Sequence, residues 1–187
     1  TRTFKLSRDP AFAEKVEAIV GLYLNPPENA LVYVALGDSA AQGIGASSPM
    51  KGYVGVVASE LEKKYDRPVH IINLSVTGAT VGSAYEEQIP KLKEIPDLDK
   101  AIITIDIGAN DINRNLKSAE EFEKELDRLF AALPRHTVVG DLPSFARTRF
   151  WKAEERIRRH NPIVYEVAKK YGLKVAPLYD ATAADKS

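Results

Sequence analysis

Residues 30–45 read ALVYVALGDSAAQGIG: a largely β-branched apolar run passes without a break into a small polar turn with one serine at its apex. Short, almost continuously apolar runs are what a strand covered on both faces requires. The pattern recurs at VHIINLS (69–75), AIITIDI (101–107), TVVGD (137–141) and LKVAPLY (173–179). Between these runs lie amphipathic stretches: GYVGVVASELEKKY (52–65), VGSAYEEQIPKL (81–92), SAEEFEKELDRLFAAL (118–133) and roughly 150–171. This is the βαβ rhythm of an α/β fold, a parallel five-stranded sheet between two layers of helices. Ser118 and Glu121 have capping-box spacing, and Gly172 stands where a helix C-terminus calls for a left-handed residue. Such sheets bind ligands outside the carboxyl ends of their strands, so functional residues are expected just after each strand.

Composition narrows the function classes. At 187 residues and 44% hydrophobic content the chain suits one domain with a proper core. Lys plus Arg and Asp plus Glu both number 26, so the electrostatic footprint of nucleic-acid or anionic-membrane binding is missing. The lack of cysteine removes thiolate chemistry, disulfides and zinc-thiolate sites. No apolar run approaches the roughly 18 residues of a membrane span, and the opening TRTFKLSRDP has no signal-peptide core. A soluble protein is expected; its compartment stays open, with the cytoplasm favoured over export. DPAFAEKVEAIVGLYL (9–24) reads as a helix capped by Asp9, with Pro10 in its first turn, and closed by NPPEN.

Three strand ends carry candidate chemistry. Ser39 follows the first strand, where it is either a ligand-facing hydroxyl near a helix dipole or the cap of a following helix. Gly78, in SVTGAT (75–80), is either a turn glycine or a place where backbone N–H closely approaches a developing negative charge. Asn110, in GANDI (108–112), is either a turn former or a side-chain amide donor. Taken together, one hydroxyl and two donors at successive strand ends have the layout of an acyl-transfer site.

With these three blocks in order, the sequence over about residues 31–181 resembles the SGNH hydrolases, the GDSL-type esterases and lipases. Gly37-Asp38-Ser39 matches their first block, NLSVTGAT with Gly78 their second, and Gly108-Ala109-Asn110-Asp111 their third. The resemblance implies a flavodoxin-like three-layer α/β/α sandwich and a serine hydrolase without metal or organic cofactor. It implies catalytic roles for Ser39 as nucleophile and for Gly78 and Asn110 as oxyanion donors, alongside the Ser39 N–H. Asp38 is assigned to holding the turn. The expected substrate is a small or medium acyl ester, because no amphipathic membrane-binding helix is evident. Phe145, Phe150 and Trp151 in DLPSFARTRFW (141–151) either wall its pocket or anchor a loop on the core.

A serine hydroxyl needs a base, and the family's paired Asp and His follow its fifth strand. Here that strand is expected to end at Tyr179, before DATAADKS, and no histidine follows His160. His70 and His136 begin strands at the wrong end of the sheet, and His160 lies in a basic helical stretch read as a solvated face. Asp180 has no partner histidine and is not assigned. The expectation is a C-terminally incomplete SGNH domain (31–187) whose Asp and His come from another polypeptide segment or a swapped protomer. Residues 1–30 are expected to be a separate leader, because FKLSRDPAFAEKVEAIVGLYLNPPENALV (4–32) resembles the segment before the catalytic domain of IS630-type transposases. A chimera follows. The alternatives are a catalytically silent SGNH shell serving binding or assembly, and, remotely, a transposase-derived protein; flavin or nucleotide binding lacks its glycine spacing.

Overall fold

The computed structural model describes residues 28–113, 116–146, 148 and 151–184. The helix expected over 9–24, and with it the fold of the leader, lies outside the described residues. Five strands form the sheet: β1 (Leu31–Gly37), β2 (Val69–Asn73), β3 (Ile102–Asp106), β4 (Val138–Gly140) and β5 (Lys174–Ala176). All neighbouring pairs are parallel, in the order β2-β1-β3-β4-β5. This order leaves a topological switch point between β1 and β3, where the connections from the two strands depart in opposite directions.

The helices are α1 (Tyr53–Tyr65), α2 (81–93), α3 (Ala109–Asn113), α4 (Ala119–Ala131), α5 (Glu154–Tyr171) and α6 (Leu178–Ala184). Alternation along the strands sorts side chains into two cores. Val34, Leu36, Ile103, Ile105 and Val139 share the larger one with residues of α2, α4 and α5. Tyr33 and Ala35 point the other way, onto Val54 and Ala58 of α1. The three-layer α/β/α architecture expected from the sequence is thus the one observed. The capping box also forms: Ser118 Oγ accepts from the Glu121 N–H, and Glu121 Oε2 accepts from the Ser118 N–H. Gly172 takes the left-handed C-cap at φ 68°.

One expectation needs correction. The fifth strand stops at Ala176 rather than Tyr179, and Leu178 opens α6. Pro177 has no N–H for a ladder bond, and its fixed φ suits the start of a helix. Leu178 then folds over Gly140, where a Cβ would fall 2.5 Å from Leu178 Cδ1. The helix over 81–93 is also irregular, since Ala84–Gln88 forms a π turn in which the Ile89 N–H bonds to the Ala84 carbonyl. Pro90 lacks the N–H that would bond Glu86 and crowds that carbonyl, so a widened turn accommodates it.

Candidate active site

β1 ends in a glycine that nothing else can replace. Gly37 sits at φ 138°, and a Cβ there would fall 2.2 Å from the Asp106 carbonyl oxygen. The chain can therefore turn tightly against β3, with the Asp38 N–H bonded to that same oxygen at 3.3 Å. The following residues form a coil of turns: the Gln42 N–H reaches the Asp38 carbonyl and the Ile44 N–H the Ser39 carbonyl. No α-helix begins at Ser39. The next one starts at Tyr53, so the helix-cap reading of Ser39, and the dipole of a helix directly after it, do not apply. The Ser39 side chain is partly exposed, and its hydroxyl makes no hydrogen bond among the described residues.

The loop after β2 is tied to this turn from two sides. Asn73 Nδ2 donates to the Ala41 carbonyl at 2.7 Å, while its Oδ1 accepts from the Ser75 N–H. Gln42 Nε2 donates to the Ser75 carbonyl at 2.9 Å and its Oε1 accepts from the Thr77 hydroxyl. Gly78 follows at φ 80°, a left-handed conformation in which its N–H can turn out of the loop.

The third loop closes the arrangement. Asn110 lies in α3 rather than in an open turn. Its Nδ2 donates to Asp38 Oδ2 at 2.9 Å and to the Ala79 carbonyl at 3.0 Å. One amide thus bonds the residue before Ser39 and the residue after Gly78. Asp38 uses its other oxygen to accept the Ala40 N–H at 2.9 Å, an Asx-type turn bond. The three loops therefore meet at the switch point between β1 and β3.

Asp111, fully buried, fastens the third loop from below. Its Oδ2 accepts the Val81 N–H at 3.1 Å, and its Oδ1 accepts from Lys117 Nζ at 2.6 Å; Lys117 also reaches Glu125. Lys117→Met leaves that carboxylate without its counter-charge. The expected loss is about 2 to 3 kcal/mol of stability near neutral pH, read by urea unfolding, below the full cost of breaking a deeply buried pair because Lys117 keeps some solvent contact.

Three buried carboxylates, Asp38, Asp106 and Asp141, sit at the ends of β1, β3 and β4. Burial, then the charges of Asp38 and Asp141, raises Asp106 to about 7. Burial followed by the Asp106 charge also pushes the Tyr53 hydroxyl upward. Among the described residues no cluster of His, Cys, Asp or Glu could hold a metal ion.

The histidines stay away from these loops. His70 is near the start of β2, paired with Val32, and His136 is exposed before β4. His160 needs correction: it is 6% exposed rather than on a solvated face. It shares the inner stripe of α5 with Ile157, Asn161, Val164 and Val167; its Nδ1 meets the Arg156 carbonyl at 2.7 Å and its ring stands edge-on to Phe122. A cavity of about 320 Å³ opens beyond β4, lined by Asp141, Tyr165 and Tyr179 among others. Exposed Asp180 also lines it, but Ser39, Gly78 and Asn110 do not, since it lies on the far side of β3. Phe145 packs against the larger core, which favours the anchoring reading; Phe150 lies outside the described residues, and Trp151 begins a 3-10 turn.

Sequence reasoning missed Asn73, Gln42 and Gln88. Gln88 carried a signal: it falls on the apolar stripe Val81, Ala84, Gln88, Leu92 of α2, where a polar residue calls for a buried partner.

Comparison with known proteins agrees with this architecture. AlinE4, an SGNH-hydrolase family esterase, superposes with a TM-score of 0.67 at 22% identity, covering 84% of this chain and 80% of that one. A lipase/acylhydrolase from Enterococcus faecalis gives 0.63 at 21% identity over 83% and 80%. A G-D-S-L lipolytic family member from Veillonella parvula gives 0.65 at 18% over 81% and 79%. No curated protein matches the chain. The model of the GDSL-like lipase/acylhydrolase family matches residues 35–187, from the middle of β1 onward, and the chain belongs to that family.

Proposed function

We propose that the protein is a serine ester hydrolase that cleaves small to medium acyl esters through an acyl-enzyme on Ser39. The observation that supports this reading best is the Asn110 amide, which bonds Asp38, the residue before Ser39, and the carbonyl of Ala79, the residue after Gly78. In the first half-reaction Ser39 Oγ attacks the ester carbonyl while a base takes its proton. The carbonyl oxygen gains the negative charge, facing the N–H groups of Ser39 and Gly78 and the Asn110 amide. Collapse breaks the C–O bond to the alcohol, which leaves with the proton. Water then attacks the acyl-serine by the same route, giving the carboxylic acid and free Ser39.

An oxyanion must compete for the Asn110 hydrogens, both of which are engaged by internal acceptors. Release of the Ala79 bond frees one N–H of that amide for the oxyanion. None of the three histidines lies in the loops around Ser39, so in this reading the base comes from another polypeptide segment or a swapped protomer. A fluorophosphonate probe followed by peptide mass spectrometry tests the reading. The expected adduct is on Ser39 in the chain assembled with the segment or protomer that carries the base; an assembled chain that stays unmodified is a silent shell.

A further inference from the structure

The end of β1 is gripped by a side chain that has no part in the chemistry just described. Gln88 Oε1 accepts the Gly37 N–H at 2.9 Å, and Gln88 Nε2 donates to the Gly37 carbonyl at 2.9 Å. Gln88 is fully buried, and it reaches this position from the π turn of α2. The same Gly37 carbonyl accepts the Val76 N–H at 3.1 Å. Gly37 is two residues before Ser39, and Val76 two before Gly78. A single amide plane therefore sets the departure of the nucleophile turn and, through a shared oxygen, its offset from the neighbouring loop.

We infer that Gln88 is a positioning residue that holds the Ser39 and Gly78 N–H groups in register for one oxyanion. The inference rests on the hydrolase reading, since register matters to catalysis only if those N–H groups act together. A shift of a few tenths of an ångström between the two donors weakens both bonds to a charged oxygen while leaving substrate contacts elsewhere intact, so the effect falls on kcat rather than KM.

The structure supplies its own control. Asn161 of α5 makes the same pair of bonds to Leu142, accepting its N–H at 2.7 Å and donating to its carbonyl at 3.0 Å, beyond β4 and away from Ser39. Gln88→Met and Asn161→Leu each remove two buried hydrogen bonds. Gln88→Glu keeps the shape: its carboxyl, held protonated by burial, offers one O–H and one carbonyl oxygen to Gly37. Fluorophosphonate labelling rates of the full chain, each taken well below the variant's melting midpoint, are compared with thermal stability.

The expected result is at least 10-fold slower labelling of Gln88→Met and little change for Asn161→Leu at similar loss of stability. Gln88→Glu should approach the wild-type rate near neutral pH and fall behind it as alkali ionises the carboxyl. Labelling of Gln88→Met within twofold of wild type, or equal slowing in Asn161→Leu, overturns the inference. Wild type that does not label even when assembled with the source of its base sinks the hydrolase reading, and amide exchange then decides the clamp: Gly37 and Val76 must lose protection in Gln88→Met and keep it in Asn161→Leu. Unchanged protection there refutes it.

Discussion

Ser39→Ala is expected to remove ester turnover, by roughly 10⁵- to 10⁶-fold in kcat, in any preparation of the chain that hydrolyses p-nitrophenyl butyrate. The side chain is partly exposed and the turn is held by Gly37, Asp38 and backbone bonds, none of which needs the hydroxyl. Folding should therefore survive, and circular dichroism should match wild type. Asn110→Ala is the informative companion. Losing one oxyanion donor typically costs 10²- to 10³-fold in kcat with little change in KM. Asn110 also bonds Asp38 and Ala79, so the variant should lose about 1 to 2 kcal/mol of stability as well. Turnover retained by Ser39→Ala would end the proposal, and an Asn110→Ala effect confined to KM would remove that residue from the oxyanion site.

Asp106→Asn should flatten the pH dependence of stability. The carboxyl is raised from 3.8 to about 7, first by burial and then by Asp38 and Asp141. Below about pH 4 both the folded and unfolded chains hold the proton, and the group costs nothing. As pH rises towards 7 the unfolded chain releases its proton while the folded one keeps it, so stability falls with pH through this window and levels off above it. A shift of about three units corresponds to roughly 4 kcal/mol across that range. The asparagine variant keeps the shape without the titration, so near pH 8 it should be more stable than wild type by up to that amount. Urea midpoints at pH values from about 4 to 8 measure it; parallel curves for the two proteins would show that Asp106 is not held protonated.

Much of this molecule could be read from local pattern. Continuous apolar runs predicted all five strands to within a few residues, because strands buried on both faces tolerate little else. The capping box at Ser118 and the left-handed Gly172 are set by neighbours in sequence, and both form as expected. Errors appeared where the outcome hinged on distant partners. LKVAPLY reads as one apolar strand, yet Pro177 divides it and Leu178 turns back over Gly140 from the neighbouring strand. RIRRHNP reads as a charged face, yet every third or fourth residue faces α4, and His160 is carried inside by Ile157 and Val164.

The candidate site divides along the same line. Sequence by itself determined the order of the strands and of the four longer helices between them, the family, and the three strand ends that carry Ser39, Gly78 and Asn110, because periodicity and short motifs are properties of adjacent residues. Only the tertiary structure decided that the Asn110 amide bonds both neighbouring loops, that Gln88 grips Gly37, and that burial beside two other carboxylates raises the Asp106 carboxyl. Hydrogen-bond partners 51 and 72 positions apart, and the loss of water around a carboxyl, exist only once the sheet has brought those strand ends together.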